Sequence, residues 1–247
     1  MSNLNAQVLV HDFHKAFDHP TFDDSIIKEG VNGQRCIFAL QPNVENLTNK
    51  KLAELRCRLL HEEIAEGVNA SGDFVPTGLA EFSSFVEVVD AIGDILYITL
   101  GTGCVYGLAL DTPSFDYAEE VYQIKGENHR GLVDIYKGFS EIEKVLVELE
   151  QDLHFACQAP SKALLFASPI SKKLQKIVDL CYAHAVVYNY DLNAVFVEIH
   201  NSNMSKLGAD GKPIYREDGK VLKGENYFKP DIEKVLNAAT KPTSKSA

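Results

Sequence analysis

Residues 85–107, FVEVVDAIGDILYITLGTGCVYG, form a long apolar run without proline, yet Glu87, Asp90 and Asp94 punctuate it at intervals of three and four. In an α-helix that spacing places all three carboxylates on one face. A second acidic group, Glu62, Glu63 and Glu66 in HEEIAE, follows the apolar LRCRLL, and Glu63 and Glu66 share a face in the same way. Two helices that each carry an apolar surface and a carboxylate stripe are constrained to pack together and to bring some acids toward one another. Carboxylates in that position desolvate and repel, and a divalent cation is the usual remedy. Acidic residues at helical spacing also serve as an ordinary solvated face, so each cluster alone is ambiguous.

With 247 residues, 45% of them hydrophobic, the chain is long enough for one large or two small globular units. Its net charge of -11 disfavours a nucleic acid polymer or an anionic membrane as partner, because phosphate neutralisation needs a basic surface. Cys36, Cys57, Cys104, Cys157 and Cys181 are odd in number and lack a CxxC pair, as expected of reduced thiols in a cytoplasmic setting. No export signal is expected at the N-terminus, and no stretch reads as long and apolar enough to span a bilayer.

The pattern predicts a mostly helical, single-domain chain over 1–247. Helices are expected at about 4–17, from Thr48 or Asn49 as cap to a stop near Gly67, and at about 79–107, 139–157, 170–190 and 192–204. VNASGDFVPTG reads as a loop, residues 112–137 are ambiguous, and IYREDGKVLK reads as a hairpin turning at Asp218-Gly219. Gly93, Gly101 and Gly103 are unfavourable inside a helix unless close packing uses them. Residues 93–111 echo 178–193, with Asp94-x-x-Tyr97 against Asp179-x-x-Tyr182. A duplicated helical hairpin would give a pseudo-symmetric four-helix arrangement in which the second copy has lost its acids.

The order LRCRLLHEEIAEG, EVVDAIGDILYITLGTGCVYGLALD and FVEIHNSNMSKLGADGKPIYREDGKVLKGENYFKPDI resembles the all-α nucleoside triphosphate pyrophosphohydrolases, the MazG and phosphoribosyl-ATP pyrophosphohydrolase-like superfamily. The tail is similar to the branch containing MazZ-like phage dGTP-cleaving enzymes. The family's ExxE and ExxD motif is filled here by Glu63-x-x-Glu66 and Glu87-x-x-Asp90. The resemblance covers about 5–20, 50–111 and 190–236, leaving 112–190 as a helical insertion or degenerate repeat and about 200–236 as a substrate-binding tail. His61 and Asn201 depart from the usual pattern. The resemblance implies an all-α, MazG-like bundle, assembly as a dimer or tetramer, and cleavage of a nucleoside or deoxynucleoside triphosphate to monophosphate and pyrophosphate. It places dGTP first and dUTP next, with phosphoribosyl-ATP as the nearest alternative substrate. A non-catalytic nucleotide-binding or assembly protein is the alternative from another class.

Such a reaction needs hard divalent ions held by oxygen ligands, Mg2+ first and Mn2+ as a substitute. Glu63, Glu66, Glu87, Asp90 and Asp94 are the expected ligands, and Glu62 is the candidate general base. In the tail, Lys206 and Lys223 are candidates for phosphate, and Asn203, Asn226 and Tyr227 for sugar or base. His11, His14 and His19 read as ordinary helix and turn histidines. The DGK triplets lack the oxygen ligands of an EF-hand, GTGCVYG lacks the Lys-Ser/Thr ending of a phosphate-binding loop, and no Glu-x-x-His pair supports a di-iron bundle.

Overall fold

The computed structural model describes residues 5–30, 35–37, 40–72, 82–112, 132–215 and 221–239. Asn5 caps the first helix, α1 (Ala6–Ala16), by accepting from the Val8 amide at 3.3 Å. The helix ends where Asp18 turns to φ 49°. A small antiparallel pair follows, β1 (Ile27–Glu29) with β2 (Arg35–Ile37), in register Ile27 to Ile37. Next come the short α2 (Val44–Leu47) and then α3 (Lys50–Gly72). Asn49 caps α3, its side chain accepting from Leu52 N at 3.1 Å, which selects it over Thr48.

The helix does not stop near Gly67. It continues to Gly72, because Gly67 is a packing position: a Cβ there would stand 2.2 Å from the Phe139 ring. The bare glycine lets a neighbouring helix approach.

The long apolar run forms α4 (Phe82–Tyr106), with Val88, Val89, Ile92, Ile95, Leu96 and Leu100 fully buried. Side chains of this size each stabilise by about 1.5–3 kcal/mol when fully buried, so this helix is the centre of the core. It packs against α1, α3 and four of the elements near it in space. Residues 83–106 have the length and mean hydropathy of a membrane span, contrary to the expectation above, but 83% of that apolar window is buried inside the bundle. The hydropathy is accounted for by the core. Gly93 and Gly101 are used for close packing as anticipated, a Cβ on Gly93 meeting Ile199 at 2.3 Å.

Two further long helices follow, α5 (Leu132–Gln158) and α6 (Leu164–Tyr188), then α7 (Leu192–Met204) and a short α8 (Ile232–Ala239). Asp191 caps α7 by accepting from the amides of Asn193 and Ala194. The helix α8 lies outside every sequence expectation. The hairpin α3/α4 packs against the hairpin α5/α6, with α3 on α5 and α4 on α6. His61 and Glu150 join the first pair at 2.9 Å. The four long helices thus pack as two hairpins. At the echoed positions, Tyr97 pairs with His200 at 3.1 Å, and Tyr182 donates to Asn193 at 2.6 Å. Asp179 accepts from Gln175 at 3.0 Å, within its own helix.

The tail folds back along α7. Ser202 Oγ donates to Phe228 O at 2.8 Å, and the Gly224 amide donates to Lys206 O at 3.1 Å. Tyr215 and Val221 pair as an isolated bridge, as the hairpin reading expects, while Asp218-Gly219 lies outside the described residues. Of the segment VNASGDFVPTG, expected as a loop, residues 68–72 are helical instead, and the rest lies outside the described residues, as do 79–81 and 113–131.

Candidate active site

A cavity of about 440 Å³ opens where α1, α3, α4, α7 and the tail meet, within the size range of small-molecule sites. Its position follows from the packing of the helices. On α4, Asp90, Asp94, Tyr97 and Ile98 line it, as do Arg56, Leu59 and Glu63 on the antiparallel α3. The cavity therefore runs along both helices, acidic at the end where Glu63 meets Asp90 and Asp94.

The acids are electrostatically coupled. Burial, and then repulsion by Glu66 and Asp90, push the Glu63 carboxyl up to about 7. Burial raises Asp90 above the usual carboxylate range, against Lys229 and reinforced by Glu66 and Glu87. Asp94 is raised well above that range by burial, then by Glu63 and Asp90. Asp90 Oδ1 is buried with no hydrogen-bond partner among the described residues, which is unusual for a buried oxygen.

Facing these acids are lysines from the segment that follows α7. Lys206 lines the cavity, its ammonium donating to Asn203 Oδ1 at 2.7 Å. Burial lowers its pKa, and Asp94 works the other way. Lys223 sits 4.2 Å from the centre of the Tyr227 ring, and Lys229 completes this side. One cavity thus holds a wall of carboxylates and a wall of ammonium groups.

Residues 38–116 match the family model for phosphoribosyl-ATP pyrophosphohydrolase, a family within the MazG-like NTP pyrophosphohydrolase superfamily. Residues 38–116 are thus similar to that superfamily. Over 203 residues it is 28% identical to an uncharacterized protein of Acanthamoeba polyphaga mimivirus, covering 80% of this chain and 69% of that relative. No solved structure matches it. The segment matched to the family contains Glu63, Glu66, Glu87, Asp90 and Asp94, so the MazG-like part of the chain supplies the whole acidic wall.

Of the residues singled out in the sequence, the cavity gathers Glu63, Asp90, Asp94, Asn203, Lys206, Lys223 and Tyr227. Glu66 and Glu87 are exposed at its edge, close enough for their charges to act on Asp90. Asn226 is exposed and outside the lining. Glu62 is not brought to the cavity. One residue before Glu63, it points about 100° away from it around the helix and pairs with Arg58 at 3.7 Å, with 57% of its side chain exposed. His11 is committed to Thr21 and Asp24, as expected of a structural histidine.

Lys229, Arg56, Phe13, Tyr97 and Ser202 also line the cavity without having been singled out for it, as do His14 and His19, which the sequence reading took for ordinary helix and turn histidines. Arg56 had a signal: it falls within the stripe of Ala53, Cys57, Leu60 and Ile64, all buried, where a charge needs a reason.

The donor set suits a hard divalent cation. It consists of carboxylate oxygens, one of them an orphaned buried atom, and the repulsion that adds to burial in raising Glu63, Asp90 and Asp94 is what a cation relieves. Among the described residues, no three His, Cys, Asp or Glu groups converge closely enough to hold one ion, so the acids form an open wall rather than a closed cage.

Proposed function

We propose that the protein is a divalent-metal-dependent nucleoside triphosphate pyrophosphohydrolase, converting a (d)NTP and water to the (d)NMP and pyrophosphate. The family match supports nucleotide pyrophosphohydrolase activity in general. The observation that carries the finer reading is the opposition, in one cavity, of Glu63, Asp90 and Asp94 to Lys206, Lys223 and Lys229. A protein that only held a polyanion would need the lysines but not the buried acids.

Glu63, Glu66, Asp90 and Asp94 would hold Mg2+, or Mn2+ in its place, with Glu87 supporting from the rim. Such an ion supplies neutralisation of the polyphosphate and a more acidic water. The chain does the rest. Lys206 is fixed by Asn203 and presents a point charge to phosphate oxygens, and Lys223 and Lys229 add charge on the same side. Water attacks the α-phosphorus, the bond from that phosphorus to the bridging oxygen breaks, and pyrophosphate leaves. The proton from water passes to a carboxylate of the acidic wall, a role the outward Glu62 does not fill.

Pyrophosphate and orthophosphate release from a panel of NTPs, dNTPs and phosphoribosyl-ATP, with Mg2+, with Mn2+ and with chelator, tests this reading. Metal-dependent pyrophosphate with monophosphate is expected. Orthophosphate release, or binding without turnover, would overturn it, the latter in favour of a nucleotide-binding module.

A further inference from the structure

The far end of the same cavity has a different chemistry. Arg56 lies two turns before Glu63 on α3 and retains only 9% exposure. Its Nε donates to Thr102 Oγ1 at 2.9 Å and its Nη2 to the Ile98 carbonyl at 2.6 Å. Burial lowers its pKa to about 10, and no carboxylate is among the groups that act on its charge. A buried guanidinium without an acid is costly, and this one lines an open cavity with N–H groups to spare.

His14 lies beside it. Its Nδ1 donates to the Pro20 carbonyl at 2.8 Å, which requires the proton on Nδ1 and leaves Nε2 a bare acceptor in the neutral ring. Burial and the charge of Arg56 hold the ring neutral, with a pKa lowered to about 3. Gly101 makes room for both groups: a Cβ there would stand 2.8 Å from Arg56 Nη2 and 2.8 Å from His14 Nε2. Aromatic faces surround them. His19 meets His14 edge-on at 5.5 Å, and Phe13 meets Tyr97 edge-on at 5.5 Å. Phe13, His19 and Tyr97 all line the cavity.

A strong donor beside an obligate acceptor, lined by Phe13, His19 and Tyr97, fits neither a phosphate nor a metal: the bare Nε2 repels a phosphate oxygen, and the guanidinium charge repels a metal ion. It suits a planar heterocycle. Taking the triphosphate at the acid and lysine end, as proposed above, fixes the direction in which the heterocycle enters. We infer that Arg56 and His14 read the nucleobase and select lactam bases, which offer a ring C=O beside an N–H, over amidine bases, which offer an amino group beside a bare ring nitrogen. Arg56 donates to the carbonyl, as guanidinium groups do to guanine O6 and N7, and His14 Nε2 accepts the ring N–H. Adenine and cytosine present donor to donor and acceptor to acceptor in the same pose, and unpaired buried polar groups discriminate strongly.

The test combines kcat/KM for dGTP, dITP, dUTP, dATP and dCTP with calorimetric binding of guanosine, inosine, uridine, adenosine and cytidine to the full chain. Lactam substrates are expected to exceed amidine ones by tenfold or more. In Arg56→Lys, which keeps the charge but loses the fork, and in His14→Gln, that ratio should fall below about threefold, chiefly through KM. Thermal melts identify any variant that is unfolded, and the other variant then decides. Equal rates on all bases, or an unchanged ratio in a folded variant, would overturn the inference. Absence of turnover for every nucleotide would remove the pyrophosphohydrolase reading instead, and nucleoside binding would then judge the base site alone. Fivefold tighter binding of lactam nucleosides supports it, and equal binding overturns it.

Discussion

Glu63→Gln should make the metal-free protein more stable while destroying its activity. Burial, Glu66 and Asp90 raise the Glu63 carboxyl from 4.5 to about 7. A folded pKa above the unfolded one means that the folded chain binds more protons between those values, so Glu63 costs stability progressively as pH rises from 4.5 to 7, and fully above that. The shift corresponds to roughly 3 kcal/mol, and solvent screening of a half-buried group reduces it to about 1–2 kcal/mol. Glutamine keeps the shape and removes the charge. For a chain of this size the gain amounts to a rise in Tm of about 2–8 °C. Melts of parent and variant in chelator at pH 8 and pH 5 measure it: the gap should open at pH 8 and close at pH 5. Added Mg2+ or Mn2+ should raise the Tm of the parent and much less that of the variant, and pyrophosphate release should be lost. A variant no more stable than the parent at pH 8, or a gap independent of pH, would refute the electrostatic account. Full activity at limiting Mg2+ would refute the ligand role.

Asp90→Asn, which replaces the carboxylate with the orphaned oxygen, should likewise lose metal-dependent turnover without unfolding, as activity assays and circular dichroism would show. Glu62→Gln should lower kcat by no more than about threefold, since general-base removal typically costs ~10²-fold or more; a loss of that larger size would return the role to Glu62. Gly67→Ala drives a methyl group into the fully buried Phe139 ring and should cost about 1–3 kcal/mol in urea unfolding. His184, buried with its Nε2 unpartnered among the described residues and its pKa lowered to about 3, binds its proton only in the unfolded chain between pH 6.5 and 3. It therefore withdraws stability as pH falls below 6.5, and in His184→Gln the loss between pH 7 and 5 should be smaller by ~2 kcal/mol; parallel curves would disprove it.

The acid wall was legible because two helices express it as a local period, and α7 because Asp191 announces its start. Gly67 misled for a physical reason: the same missing side chain that ends helices also admits a neighbouring ring, and only the position of Phe139 distinguishes the two uses. Lys229, His14, His19 and Arg56 come from three different segments with no shared spacing, so nothing in the order of residues announces their meeting. Glu62 was misplaced by adjacency, since one step along a helix turns a side chain away from the surface its neighbour serves.

The pairing of α3/α4 with α5/α6 has a consequence for how the protein behaves on dilution. Two hairpins on one polypeptide meet at a local concentration set by the tether, not by the amount of protein in solution. The helical frame beneath the acid wall therefore needs no second molecule to form, and its melting point should hold steady from micromolar to nanomolar protein. A mutation on one hairpin also changes one face of the bundle only, where a symmetric assembly would repeat every substitution on both. In this single-chain arrangement α6 carries Asp179, bonded to Gln175 within its own helix, where α4 turns Asp90 and Asp94 to the cavity.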